Sequence, residues 1–104
     1  MSMKNLSNKV AVVTGGSRGI GRSAAISLAR AGAHVAVNFA RNEKAAQKVV
    51  SEINRLGGKA LAVQADMSRP EGVAALFATT LKAFGKLDIL VNNAGIIITK
   101  PIQL

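Results

Sequence analysis

Thr14-Gly15-Gly16-Ser17-Arg18-Gly19-Ile20-Gly21 places four glycines within eight positions, directly behind the stiff apolar run Val10–Val13. Glycine in an ordered segment costs conformational entropy. So dense a cluster therefore needs a reason: a turn whose backbone angles other residues resist, or a ligand that must approach the main chain closely. Which of these applies depends on the elements around the loop.

Val10–Thr14 is a short run rich in β-branched residues and reads as a buried strand. A helix is expected from Gly19 to Arg30, with Ile20, Ala24, Leu28 and Ala31 on one stripe and Gly32 as its stop. Ala33–Phe39 is a second strand. Glu43 to Leu56 reads as helix, with Ala45, Ala46, Val49, Val50, Ile53 and Leu56 at helical spacing, closed by Gly57-Gly58. Lys59–Gln64 is a third strand. Ser68-Arg69-Pro70-Glu71 has capping-box form, and Val73, Leu76, Phe77, Leu81 and Phe84 carry the helix behind it to Gly85. Leu87–Asn92 is a fourth strand. No linker or internal repeat interrupts the pattern.

Strands alternating with helices over short connections imply an α/β fold with a parallel sheet, right-handed crossovers and helices on both faces. This is more than half of a doubly wound (Rossmann) sheet, with expected strand order 3-2-1-4, truncated after the fourth strand. Residues 1–104 are thus expected to form a partial dinucleotide-binding domain whose substrate-binding and catalytic half is absent.

Composition narrows the function classes. The chain has no cysteine, which excludes disulfides and thiolate metal sites. The first residues, MSMKNLSNK, lack an apolar leader core, and no apolar run approaches membrane-spanning length, so the chain is expected to be soluble, cytoplasmic and without a membrane partner. The net charge of +9 comes from 14 Lys and Arg against 5 Asp and Glu, spread from Lys4 to Lys100 without a dense block. With no Trp or Tyr and only three Phe, a base-stacking platform is poorly supplied, and no nucleic-acid partner is expected. A basic nucleic-acid or structural protein on half a Rossmann sheet is the weakest of the readings left open.

In this fold the turn after the first strand meets ligand at the switch point of the sheet. Amide groups at the next helix's amino end, with its partial positive charge, form a site for phosphate. Gly15 suits the sharp turn, Gly19 the close approach of a pyrophosphate, and Gly21 tight packing of helix on strand. The spacing G-x-x-x-G-x-G differs from the better-known G-x-G-x-x-G, so a glycine turn without ligand remains the competing reading of the loop alone. A second stretch, Asn92-Asn93-Ala94-Gly95, follows the fourth strand on the same carboxyl edge.

Thr-Gly-x-x-x-Gly-x-Gly followed by Asn-Asn-Ala-Gly resembles the short-chain dehydrogenase/reductase family, and within it the 3-oxoacyl-[acyl-carrier-protein] reductase-like ketoreductases, over residues 8–98. The resemblance implies that Gly15, Ser17, Arg18, Gly19, Ile20 and Gly21 contact the cofactor's phosphates and adenosine ribose. It places Asp66 and Met67 at the adenine, with the Asp66 carboxylate accepting from the adenine amino group; a turn-former is the plainer role for Asp66. Asn93 and the neighbouring backbone of Ala94 and Gly95 would line the cofactor's ribose, while Asn92 would tie strands together.

An NAD site usually carries an acid near the end of the second strand, roughly 20 residues past the glycines. Here Phe39 holds that place, and no carboxylate follows until Glu43. Arg18 and Arg41 are candidates to grip a 2′-phosphate, with Asn38 adding a neutral hydrogen bond; a solvent-facing loop charge is the alternative for Arg41. The expected cofactor is NADP(H) rather than NAD(H).

Family members reduce a carbonyl with a tyrosine proton donor, a lysine that lowers its pKa, and a serine that holds the substrate oxygen. The Tyr-x-x-x-Lys motif lies downstream of Asn-Asn-Ala-Gly, and this chain contains no tyrosine. Ser51 and Lys100 lie in the wrong part of the pattern to replace these groups, so no catalytic residue is assigned and no metal site is expected. The resemblance implies hydride transfer to a small carbonyl or from an alcohol in a full-length protein; the chain itself is either the cofactor half of such an oxidoreductase or a non-catalytic nucleotide-binding fragment. The fourth strand, left at an edge and followed by Ile96-Ile97-Ile98, is expected to promote self-association into a homo-oligomer. The 104-residue chain is expected to show no NADPH-dependent reduction of a β-ketoester, followed as loss of reduced-nicotinamide absorbance; measurable turnover refutes the assignment.

Overall fold

A computed structural model describes residues 5–17, 19–93 and 97–98. The chain runs β1 (Val10–Thr14), α1 (Gly19–Arg30), β2 (His34–Phe39), α2 (Glu43–Arg55), β3 (Ala60–Gln64), α3 (Pro70–Phe84), β4 (Ile89–Asn92) and β5 (Ile97–Ile98). The first four strands are parallel in the order β3-β2-β1-β4, as the alternation of elements predicts. β5 is a departure. It pairs antiparallel with β4, Leu90 opposite Ile98 and Val91 opposite Ile97. The outer edge of β4, expected to be bare, is thus paired over those two residues, and the reason given for self-association loses force there.

Every residue of β1 is buried, because the central strand has a neighbour on each side and helices on both faces. Side chains alternate between two cores. Ala11, Val13, Val35, Val37 and Phe39 pack with Ala46, Val49, Val50 and Ile53 beneath α1 and α2. Val12, Ala36, Val63 and Leu90 pack with Leu76 of α3 on the opposite face.

In α1 the buried residues are Gly21, Ala25 and Ala29, which corrects the expected stripe of Ile20, Ala24, Leu28 and Ala31. Ala24 and Leu28 only flank the core, and Ile20 is 79% exposed. The smallest residues face the sheet because the helix starts so close to β1 that bulk does not fit.

The capping box expected at α3 does not form. Pro70 opens the helix behind an Arg69 cap whose side chain makes no capping bond. The Ser68 hydroxyl donates instead to Asp66 Oδ1 at 2.6 Å, and Glu71 meets Arg69 at 3.5 Å. An Asx turn at Asp66 has taken the serine that the helix would have used. At the far end, Gly85 closes α3 in the left-handed conformation at φ 83°.

Asp88 ties β4 to β1 at the amino end of the sheet. Its Oδ2 accepts from Val10 N at 2.8 Å, Lys86 Nζ lies 3.3 Å away, and its own N–H donates to Val10 O. Burial pushes this carboxyl up, but the Val10 N–H and the hydrogen bond and charge of Lys86 outweigh it, with help from Lys9, and hold it below its usual range. A carboxyl lowered by folding contributes stability that is complete above its unfolded value, ~3.9, and is lost as pH falls through the folded one. Thermal unfolding should therefore show wild type losing stability as pH falls from about 5 to about 3, with Asp88→Asn starting lower and declining less. Parallel pH profiles for the two proteins would contradict this.

Candidate cofactor site

The carboxyl ends of β1 and β4 are joined by one buried hydroxyl. Thr14, 3% exposed, accepts at Oγ1 from Asn93 N at 2.9 Å and donates to Asn92 Oδ1 at 3.0 Å. Asn93 Nδ2 then reaches Gly15 O at 3.3 Å, laying the asparagine against the first turn of the glycine loop. Sequence reasoning assigned Thr14 no function; its position as the polar last residue of an otherwise apolar strand was the available signal.

Beyond Thr14 the chain turns through Gly15 at φ 60°, and Gly16 N donates to Asn38 O at 3.0 Å. α1 then starts almost on top of the turn. A Cβ on Gly21 would overlap the Gly15 carbonyl oxygen, so the helix can lie here only with hydrogen at that position. Gly19 differs: its φ is 62°, yet a Cβ there would meet nothing within 4 Å. Open space beside a backbone that disfavours side chains is what a close-lying ligand requires. α1 has no acid in its first turn to compensate the positive end of its dipole.

Gly15, Ser17, Phe39, Ala40, Arg41, Asn42 and Asn93 line a cavity of about 550 Å³ at this edge. A second cavity of about 250 Å³ continues it toward the β3 end, adding Thr14, Asn38, Ala65 and Met67 and sharing Gly15, Ala40 and Asn93. Arg41 is the one charged residue lining either cavity, and no carboxylate lines them, among the described residues. Asn42, also unforeseen, borders the cleft while capping α2 by accepting from Ala45 N at 3.0 Å; an asparagine immediately before Glu43 was its sequence signal.

The structure thus brings Gly15, Ser17, Arg41, Met67 and Asn93 to one cleft, with Asn38 almost wholly buried in its inner wall. Gly19 and Ile20 lie exposed at the start of α1, and Gly21 is buried behind them. Asp66 is exposed on the loop after β3, where bonds from the Ser68 hydroxyl and N–H, with the charges of Arg69 and Arg41, hold its carboxyl below the usual range. Its Oδ1 is engaged by Ser68. Phe39, 5% exposed, turns into the α1–α2 core. Arg18, Ala94 and Gly95 lie outside the described residues.

Asn38 is a correction. It was expected to hydrogen-bond a 2′-phosphate, but it is 2% exposed. Its Nδ2 donates to Ala65 O at 3.2 Å and Val63 O at 3.3 Å, and its Oδ1 accepts from Gly15 N at 3.3 Å. A phosphate needs donors, and both amide protons of Asn38 are engaged.

The sequence matches the short chain dehydrogenase family over residues 9–104. It is 50% identical over 94 residues to a 3-oxoacyl-[acyl-carrier-protein] reductase of Synechocystis, covering 90% of this chain and 38% of the relative. It is also 50% identical over 92 residues to versicolorin reductase 1 of Aspergillus parasiticus, covering 88% and 35%. A short chain dehydrogenase of Burkholderia cenocepacia, crystallised in complex with NADP, superposes with a TM-score of 0.83 at 50% identity over 88% of this chain and 37% of its own. The chain spans little more than a third of the length of these relatives.

Gly21→Ala forces main chain apart, whereas Gly19→Ala adds only the cost of a left-handed backbone. Denaturant unfolding should find Gly19→Ala destabilised by about 1–2 kcal/mol and Gly21→Ala by roughly 3 kcal/mol or more. Equal losses would show that the contact between Gly21 and the Gly15 carbonyl does not set the loop.

Proposed function

Because the chain belongs to the short-chain dehydrogenase family, we propose that it is the dinucleotide-binding part of an NADP(H)-dependent oxidoreductase. The observation that carries this reading is the cleft itself: a glycine turn and a helix start at one end, Arg41 on its rim, and no lining carboxylate among the described residues. The residues present fit the group. Open space over Gly19 and an uncompensated helix end suit a pyrophosphate. Arg41 suits a 2′-phosphate, which an acid in its place would repel.

In this reading Ser17 and the Gly19–Gly21 backbone hold phosphate oxygens. Met67 supplies an apolar contact for the adenine, and Asp66 accepts from its amino group. Exposed Ile20 covers the cofactor from the helix side, and Asn93 meets the other ribose. Arg18 would join Arg41 at the 2′-phosphate, and Ala94 and Gly95 would extend the wall at Asn93. The bound cofactor supplies a hydride for carbonyl reduction or takes one from an alcohol. The general acid is assigned to no residue of this chain, which contains no tyrosine. The NADP held by the Burkholderia relative, and the reductase names of the Synechocystis and Aspergillus proteins, support the same chemistry.

Titration calorimetry with both cofactors tests the proposal. NADPH should bind at least about tenfold more tightly than NADH, and Arg41→Ala should remove most of that difference, since one charge-assisted contact accounts for about 1.5–3 kcal/mol. Equal affinities would refute the NADP assignment. No binding of either cofactor would refute the function.

A further inference from the structure

Asn38 is left without its expected phosphate contact, yet it is among the few buried polar residues among those described. By strand alternation it shares the β2 face of Ala36, which packs against the apolar core under α3. A carboxamide at such a position is unfavourable unless its hydrogen bonds are made. Here they are made to two different segments. The oxygen holds Gly15 N in the glycine turn, and the nitrogen holds the carbonyls of Val63 and Ala65, where β3 runs out toward Asp66 and Met67. Main-chain bonds converge on the same point: Gly16 N donates to Asn38 O and Ala65 N donates to Phe39 O.

We propose that Asn38 is the positioning residue of the cleft, its carboxamide fixing the distance between the loop at the phosphate end and the loop at the adenine end. This deepens the proposed function and rests on it for the identity of the ligand, but not for the coupling of the two loops. The chemistry demands asparagine. An ionised aspartate of the same shape retains an acceptor for Gly15 N but has no proton for Val63 O and Ala65 O, and even a protonated one carries a single O–H where the amide has two N–H. Leucine of similar volume serves neither loop. Glutamine is one methylene too long for a site already closed by main chain on both sides. Because the two loops share one rigid planar group, a displacement at one end is transmitted to the other, and the two halves of a dinucleotide meet a cleft of set length.

Amide exchange in the 104-residue chain without cofactor tests the coupling, comparing wild type, Asn38→Asp and Asn38→Leu. Asn38→Asp should raise exchange at the Ala65 and Ser68 amides by about tenfold or more while leaving the Gly15 and Gly16 amides close to wild type. Asn38→Leu should raise both sets. The Val12 and Leu90 amides, in the β1–β4 pair, should be unchanged in each. An increase spread evenly over the sheet, or the same pattern in both variants, overturns the proposal, because a merely structural residue would behave that way. Should either variant fail to fold, wild type alone decides: the Gly15 and Ala65 amides must report one common opening equilibrium, and separate ones overturn the coupling. Calorimetry adds the ligand, with NADPH affinity expected to fall about tenfold or more in Asn38→Asp; unchanged affinity overturns the positioning role. If wild type binds no NADPH, the proposed function fails while the exchange result still stands or falls by itself.

Discussion

The carbonyl oxygen of Gly15 occupies the space a side chain would need at Gly21. That contact brings α1 down onto the end of β1 and makes the turn between them short. A helix lifted by the size of a methyl group would carry its amide groups and its dipole away from the strand ends, where Thr14 has drawn Asn93 over the loop. The small face of α1 follows from the same constraint. Ala25 and Ala29 continue the low contour that Gly21 begins, and the larger Leu28 and Ile26 fill the flanks. Strand, loop and helix are thus one unit whose geometry is decided by the absence of a single Cβ.

Polar groups at this edge differ in how far their hydrogen bonds are spent on the protein itself. Thr14 and Asn38 are buried and satisfied by protein partners, one tying β1 to β4 and the other tying the glycine turn to β3. No buried side-chain nitrogen or oxygen lacks a partner among the described residues. Inward polar residues therefore set loop positions, and Ser17, Arg41 and Asn93 remain at the surface of the cleft. Arg41, with no carboxylate beside it in the lining among the described residues, gives this edge a positive character that the overall charge of +9 reinforces but does not locate.

Much of the fold was legible because local rules and tertiary packing agree. Val10–Val13 is apolar throughout, the mark of a strand covered on both faces, and Ala46, Val49, Val50 and Ile53 repeat at the helical period and are all buried. Strand order followed from the connections. The misreadings have local causes. Ile20 was placed on the buried stripe because hydrophobicity usually marks the inner face, but next to a glycine loop the inner face is chosen by size. Ser68 was read as a helix cap because its spacing to Glu71 fits, but Asp66, two residues earlier, competes for the same hydroxyl at 2.6 Å. The sequence makes Asn38 a candidate ligand contact because it lies near the carboxyl end of β2, close to Arg41. Whether its amide points into the cleft or into the protein depends on β3, a neighbour 25 residues away.

The order of residues by itself determined the alternation of strands and helices, the parallel sheet and the location of the glycine turn, because each is written in spacing and residue type over a few neighbouring positions. Tertiary structure alone decided which polar side chains are spent on protein partners, how closely α1 approaches β1, and that β5 pairs with the edge of β4. These depend on distances between segments remote in the chain, where an ångström separates a hydrogen bond from a collision, and no local pattern records them.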